Sequence, residues 1–261
     1  MDERNVQMFA GLLGGTTDSD IRAADDLGVR SLWPMRYAMH ERNAADGRLF
    51  DADRGCTLFS QRTTTLSGAI EAPGSVEVLY VLDGAGTALI DGHAHELGPG
   101  TALFVARDVA WHLDGEVRAL SVLVHDAAPS SVSHAVVDLD EVETGTATAG
   151  RQFLLGVTPE QGCASVTQFI GLVPPGRAPD HFHTYDEVIY VLDGEGTLFI
   201  GGEEAELRAG SCVYLPARLV HCLANTGESE LRLLGVFRPA GSPAEAYYPD
   251  GTPAVPPEET T

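Results

Sequence analysis

Along most of the chain the hydrophobic positions come in short runs or alternate with polar ones. Examples are "VIYVL" (188–192), "GTLFI" (196–200), "SCVYLP" (211–216) and "LRLLGVF" (231–237), with Gly, Asp, Asn and Pro between them. Side chains on a strand alternate between two faces, so this is the writing of strands and tight turns. The main exception is "TTDSDIRAADDLG" (16–28), where Ser19 or Asp20 can cap a helix start, helix formers follow and Gly28 closes the segment. A short helix is therefore expected ahead of the first strand-rich region.

The strand pattern occurs twice. "LYVLDGAGTALIDGHAHELGPGTALFV" (79–105) lies on "IYVLDGEGTLFIGGEEAELRAGSCVYL" (189–215) without a gap, pairing Tyr80 with Tyr190, Asp83 with Asp193, Gly84 with Gly194 and Gly100 with Gly210. The likeness runs back to "CTLFSQ" and "CASVTQ", opening at Cys56 and Cys163, and forward to "RALSVLVHD" and "LRLLGVFRP". Such self-similarity marks two copies of one module. The fold class is all-β, with two tandem barrels of the jelly-roll kind, which closes sheet edges at about this module length. The expected organisation is an N-terminal extension (1–49) with the short helix and lead-in strands, a first module (50–127), a linker with a lead-in strand (128–149), a second module (150–240) and a Pro-rich tail (241–261) read as disordered.

Composition narrows the chemistry. The 261 residues are 44% hydrophobic and 21% charged, enough for a sizeable core. The formal charge of -22 opposes nucleic acid and anionic membrane surfaces. All 16 basic residues are arginine, which removes Schiff-base catalysis, pyridoxal-phosphate anchoring and a P-loop, since each needs a lysine amine. Cys56, Cys163, Cys212 and Cys222 show no CxxC spacing and sit in apolar segments, so they read as reduced core thiols. No apolar run is long enough to span a bilayer and the N-terminus starts acidic, so a cytoplasmic monomer or homodimer with a small-molecule substrate is expected.

One stretch concentrates ligand chemistry. In "APDHFHTYDEVIYVL" (178–192), His181 and His183 are two apart and share a face, and Glu187 opens the next strand. His221 follows in a later strand. Three imidazoles and a carboxylate make a mixed N/O site for a first-row divalent ion, with positions left for water or substrate. Ile189 and Val191 share the Glu187 face and Leu219 and Leu223 that of His221, which predicts apolar surroundings. Arg177, Tyr185, Tyr190 and Tyr214 are candidates for holding a substrate, and no catalytic residue is singled out. His93 and His95, another HxH pair, fall where a hairpin turn is expected and read as solvated; His40, His125 and His134 read likewise.

These strings resemble the two motifs of the cupin superfamily. Gly176-x4-His181-x-His183-x3-Glu187-x6-Gly194 is similar to the first and Gly210-x5-Pro216-x4-His221-x3-Asn225 to the second, with one residue fewer than usual before His181 and Arg218 where glycine is common. The resemblance covers both modules and implies a bicupin whose ligands are His181, His183, Glu187 and His221, holding one divalent ion (Fe, Mn, Ni or Zn). The first module lacks the set: no histidine lies between His40 and His93, Trp111 stands at the position of His221 with His112 out of register, and only Glu77 remains. It reads as a metal-free structural half.

The scaffold does not dictate the reaction. The resemblance implies a metal-dependent enzyme, foremost an oxygen-dependent oxidoreductase of dioxygenase type acting on a small enol, diketone or phenolic substrate beside O2. A redox-neutral isomerase, cyclase or lyase is the second reading, and a non-enzymatic binding or storage protein the third. Bicupin oxalate decarboxylases usually look armed in both halves, and cupin phosphomannose isomerases rely on lysine, neither of which fits this chain.

Overall fold

The computed structural model describes residues 37–254; the helix expected at 16–28 lies outside them. In chain order the strands are β1 (Ala38–His40), β2 (Arg48–Phe50), β3 (Phe59–Ile70), β4 (Val76–Ile90), β5 (His93–Leu97), β6 (Thr101–Val105), β7 (Trp111–Val124) and β8 (His134–Asp138). They continue with β9 (Gly145–Thr146), β10 (Gln152–Leu155), β11 (Thr167–Val173), β12 (Asp186–Asp193), β13 (Glu195–Ile200), β14 (Glu203–Arg208), β15 (Ser211–Leu215), β16 (Cys222–Asn225) and β17 (Leu231–Arg238). All pairings are antiparallel. The fold is all-β and arranged as two jelly-roll units, as the repeated pattern predicts. Among the described residues no helix is long and apolar enough to cross a membrane.

The first unit is a sheet ordered β2-β3-β7-β4-β6-β8, with β5 paired to β4. The second has a large sheet, β1-β15-β12-β17-β11-β10-β9, and a small one, β14-β13-β16. Two short strands change sides. β1 precedes the first module in the chain yet pairs with β15 of the second, Ala38 opposite Val213 and His40 opposite Ser211. β8 lies on the way to the second module yet pairs with β6 of the first, Val105 opposite His134. Each module's lead-in strand thus closes an edge of the other's sheet, which alternation alone does not reveal.

The runs "VEVLYVL" and "EVIYVL" are apolar on both faces because both faces are covered. On β4, Leu79 and Val81 point into the first barrel, while Val78 and Tyr80 point out. On β12, Ile189 and Val191 point into the second barrel, while Val188 and Tyr190 point out. The outward sets meet in one core with Phe104, Leu120, Val122, Tyr214, Leu234 and Val236, so the two large sheets are packed face to face. Glu41 joins the units at the rim, paired with Arg118 and accepting from the Tyr190 hydroxyl at 3.0 Å. All four cysteines are buried and free, and burial pushes the Cys56 thiol up to about 12, as expected of core thiols.

Candidate metal centre in the second barrel

The three sequence-selected histidines converge. His181 and His221 form an isolated antiparallel bridge in which each backbone N–H donates to the other's carbonyl, at 2.9 and 2.8 Å. His183 follows two residues after His181 and therefore shares its side. Ring centroids lie 5.1 Å apart for His181 and His183, 4.7 Å for His181 and His221 and 5.3 Å for His183 and His221, and one nitrogen from each ring falls within 4.8 Å of the others.

Hydrogen bonding decides which nitrogens face the centre. The Nδ1 of His181 lies 2.9 Å from the Pro179 carbonyl, that of His183 2.8 Å from the Glu245 carbonyl and that of His221 2.9 Å from the Leu219 carbonyl. A carbonyl only accepts, so each Nδ1 carries the proton and each Nε2 presents a lone pair. Burial holds all three below the ordinary histidine range, His183 down to about 3, with neighbouring imidazoles reinforcing the shift at His183 and His221. The rings are thus neutral at neutral pH. Three neutral nitrogens, each oriented by a carbonyl behind it, fit a borderline divalent metal. His181 and His221 are 8% and 4% exposed, and His183 is half-buried.

That carbonyl behind His183 belongs to the tail, which corrects the expectation of disorder for residues 241–254. Tyr247 forms a backbone bridge with Phe182, and their rings stack with centroids 5.6 Å apart. The segment is thereby fixed beside the histidines. A backbone acceptor has no residue signature, so nothing in the sequence marks Glu245.

Glu187 is buried on the interior face of β12, but its oxygens are outside the group of mutually close nitrogens. Its Oε1 sits in the notch left by Gly235, 2.9 Å from where a Cβ would be; the Phe169 ring occupies the other side of that notch. Burial pushes the Glu187 carboxyl up to about 8, and the charge of Arg151 pulls it partly back. The equivalent in the first barrel is tied up: Glu77 accepts from the Ser121 hydroxyl at 2.5 Å and lies 3.7 Å from Arg62. Trp111, at the position of His221, is 5% exposed inside an apolar cluster.

Arg151 was not singled out by the sequence. It stands just before β10, half-buried, and Nη2 donates to the Leu223 carbonyl at 2.5 Å. Its charge acts on Glu187 and on all three imidazoles. Among the described residues no carboxylate lies within ion-pairing distance of it. An isolated arginine in a lead-in segment carries no spacing signal, and so it escapes motif reading.

The other selected residues divide. Tyr185 belongs to the site, stacked on His183 with centroids 4.8 Å apart and on Phe237 at 3.9 Å. Arg177 faces solvent, its guanidinium 3.9 Å above the Phe199 ring and 3.3 Å from Asp180. Tyr190 and Tyr214 lie in the inter-barrel core, Tyr190 bonded to Glu41 and Tyr214 donating to Asp186 at 2.8 Å. The apolar neighbours Ile189, Val191, Leu219 and Leu223 all line the second barrel's core. Arg218, where glycine is common, adopts a left-handed φ of 65° and donates its N–H to the His183 carbonyl at 2.7 Å.

The comparisons agree with this architecture. Residues 169–237, which span His181, His183, Glu187 and His221, match the family described as Cupin domain. Polyketide synthase CurC of Streptomyces cyaneus is 30% identical over 125 residues, covering 46% of this chain and 80% of its own length. Among solved structures, the Lactobacillus farciminis oxalate decarboxylase formate complex aligns with a TM-score of 0.60 at 10% identity, over 77% of this chain and 86% of that one. Protein Ylba of E. coli aligns with a TM-score of 0.59 at 15% identity, over 77% and 89%. With a repeated jelly roll, the two histidine motifs in one barrel and these relatives together, the chain belongs to the cupin superfamily.

Proposed function

We propose that the chain is a metal-dependent enzyme that binds a small enol, 1,3-diketone or phenol as its anion in the second barrel and oxidises it with O2. The observation that carries this reading is the set of three Nε2 lone pairs, each fixed by a carbonyl at Nδ1, facing one focus within the field of Arg151, which has no carboxylate partner among the described residues. His181, His183 and His221 would hold Fe, Mn, Ni or Zn, with Glu187 available as a fourth oxygen donor. When bound, such an ion supplies Lewis acidity, and a redox-active one also supplies electron transfer to O2.

The chain's own residues support the anion. Arg151 offers a permanent positive charge to an enolate or phenolate oxygen in apolar surroundings, where a charge-assisted hydrogen bond is strong. Glu187, raised to about 8 and so a stronger base than an ordinary carboxylate, acts in its ionised form: it accepts the proton that the enol O–H or diketone C–H gives up, and the electron pair of the broken bond is left on the substrate, delocalised onto the oxygen that faces Arg151. In the oxidative reaction that anion is the reductant, O2 is reduced and both its atoms enter the products. Tyr185 and Phe237 close the wall behind His183. The polyketide synthase name of a relative suits substrates of this kind, since polyketide chains are rich in 1,3-dicarbonyl and phenolic groups.

A redox-neutral isomerase, cyclase or lyase is the second reading, favoured by the same buried carboxyl, because proton transfer from a diketone at Glu187 suffices for isomerisation or ring closure. Oxygen-electrode assays on protein loaded with Fe(II), Mn(II), Ni(II) or Zn(II), run with a panel of 1,3-diketones and polyphenols, separate the two. Uptake of O2 that His183→Ala abolishes supports the oxidative reading. Substrate conversion without O2 uptake supports the redox-neutral one, and binding without conversion by any metal form points to a carrier. Glu187→Gln distinguishes a ligand from a proton acceptor: loss of metal marks the first, loss of turnover with metal retained the second.

A further inference from the structure

The first barrel has a second group of imidazoles, independent of the site above. His93 and His95, expected in a hairpin turn, instead form part of β5 and lie on one face. Their register partners on β4 are Ile90 and Ala88, both fully buried, so both rings lie on the interior side of the sheet. His134 begins β8 opposite Val105, another interior residue. The three meet at the rim: His95 Nε2 is 2.8 Å from His134 Nε2, those two ring centroids are 4.8 Å apart, and the His93 centroid is 5.9 Å from that of His134. His93 is exposed and the other two are half-buried, so the group faces solvent.

Two imidazole nitrogens at 2.8 Å share one proton between two lone-pair positions. A metal can take the place of that proton. With metal–nitrogen bonds of about 2.0–2.1 Å at a tetrahedral angle, two ligand nitrogens sit about 3.3 Å apart, so an opening of about half an ångström suffices. Side-chain rotation of the exposed His93 supplies a third nitrogen, and Ser133 Oγ, 3.0 Å from His134 Nδ1, orients that ring from behind. The matching positions of the second copy are Glu203 and Ala205, so the cluster is not a remnant of the repeated histidine motif.

We propose that His93, His95 and His134 form a solvent-facing binding site for a borderline divalent transition metal at the rim of the first barrel. The module that lost the buried motif is then not metal-free.

The test uses untagged full-length protein stripped with chelator and titrated calorimetrically with Zn(II). His183→Ala disables the buried triad, and this variant is expected to take up one equivalent. Adding His134→Ala is expected to weaken that uptake at least about tenfold, the scale typical of losing support at a metal site. Histidine ring resonances in the His183→Ala protein provide a second readout, with the signals of His93, His95 and His134 moving on Zn(II) addition. Absence of Zn(II) uptake by the His183→Ala protein, uptake unchanged by His134→Ala, or uptake with these three ring signals unmoved would overturn the proposal. None of these outcomes depends on turnover in the second barrel.

Discussion

Gly235 offers the most direct test of how the second barrel seats the Glu187 carboxyl. A Cβ there would lie 2.3 Å from Phe169 Cε1, 2.6 Å from Phe169 Cζ and 2.9 Å from Glu187 Oε1, all closer than real contacts allow. Gly235→Ala must therefore displace both the ring and the carboxyl. Overpacking of this kind costs about 1–3 kcal/mol, which in a chain of this size lowers Tm by about 2–12 °C. The carboxyl is the softer neighbour, so the metal centre should suffer as well, with Zn(II) affinity falling while the three histidines are untouched. Differential scanning calorimetry and metal titration of Gly235→Ala, Phe169→Leu and the double variant separate the causes. Phe169→Leu removes the nearest ring atoms, so the double variant should recover part of the loss, a non-additivity expected only of groups in contact. An unchanged Tm and unchanged metal affinity for Gly235→Ala would refute the account of this notch. Strictly additive losses would show that the Phe169 ring is not what the methyl meets.

Metal-free protein should be most stable near pH 6.5. Above that value Glu187 is protonated when folded and ionised when unfolded, the folded state binds more protons, and stability falls toward pH 8 by up to about 1.4 kcal/mol per pH unit. Below it His181, His183 and His221 stay neutral when folded while the unfolded chain takes up protons, so stability falls with acid instead. Urea midpoints across this range in EDTA test both slopes: Glu187→Gln should flatten the alkaline one and steepen the acid one, because the folded carboxyl holds its proton throughout the range in which the unfolded one has lost it. Arg151→Gln should raise KM for an anionic substrate about tenfold or more while metal content by elemental analysis stays constant; loss of metal instead would make Arg151 a structural group. Arg218→Gly should stabilise the protein by about 1 kcal/mol in chemical denaturation, because glycine meets no penalty at a φ of 65°. Truncation at residue 240 should weaken metal binding about 10- to 100-fold by removing the carbonyl behind His183, whereas Glu245→Ala, which keeps that carbonyl, should leave the affinity unchanged.

How much of this was legible in the sequence follows from the range of each interaction. His181, His183 and His221 could be read because an i, i+2 pair and a later strand position are local statements about faces. Tyr190 and Tyr214 were misplaced although parity held the answer: Tyr190 is an odd number of residues from Glu187 and must face the other barrel, and Tyr214 pairs with Val188 on that same outward side. Arg151 and the Glu245 carbonyl could not be read, because each reaches the histidines through tertiary packing and neither repeats between the copies. The His93–His95 pair was assigned to a turn because its counterpart "GGEEAEL" reads as one; in the structure both segments continue as strands, β5 and β14. The partners of β1 and β8 were equally hidden, since period two specifies which way a side chain points and not which neighbouring edge a backbone meets.

The crossing over of those two short strands bears on how the protein can be handled. A fragment holding only residues 150–240 would keep His181, His183, Glu187 and His221, yet the rim of Ser211–Leu215 would lose Ala38–His40 and present bare amide and carbonyl groups. Such a piece should recruit another chain to that rim and precipitate or dimerise. The arrangement also discourages the halves from drifting apart, because separating them would mean unzipping backbone ladders at both ends and not merely parting two greasy surfaces.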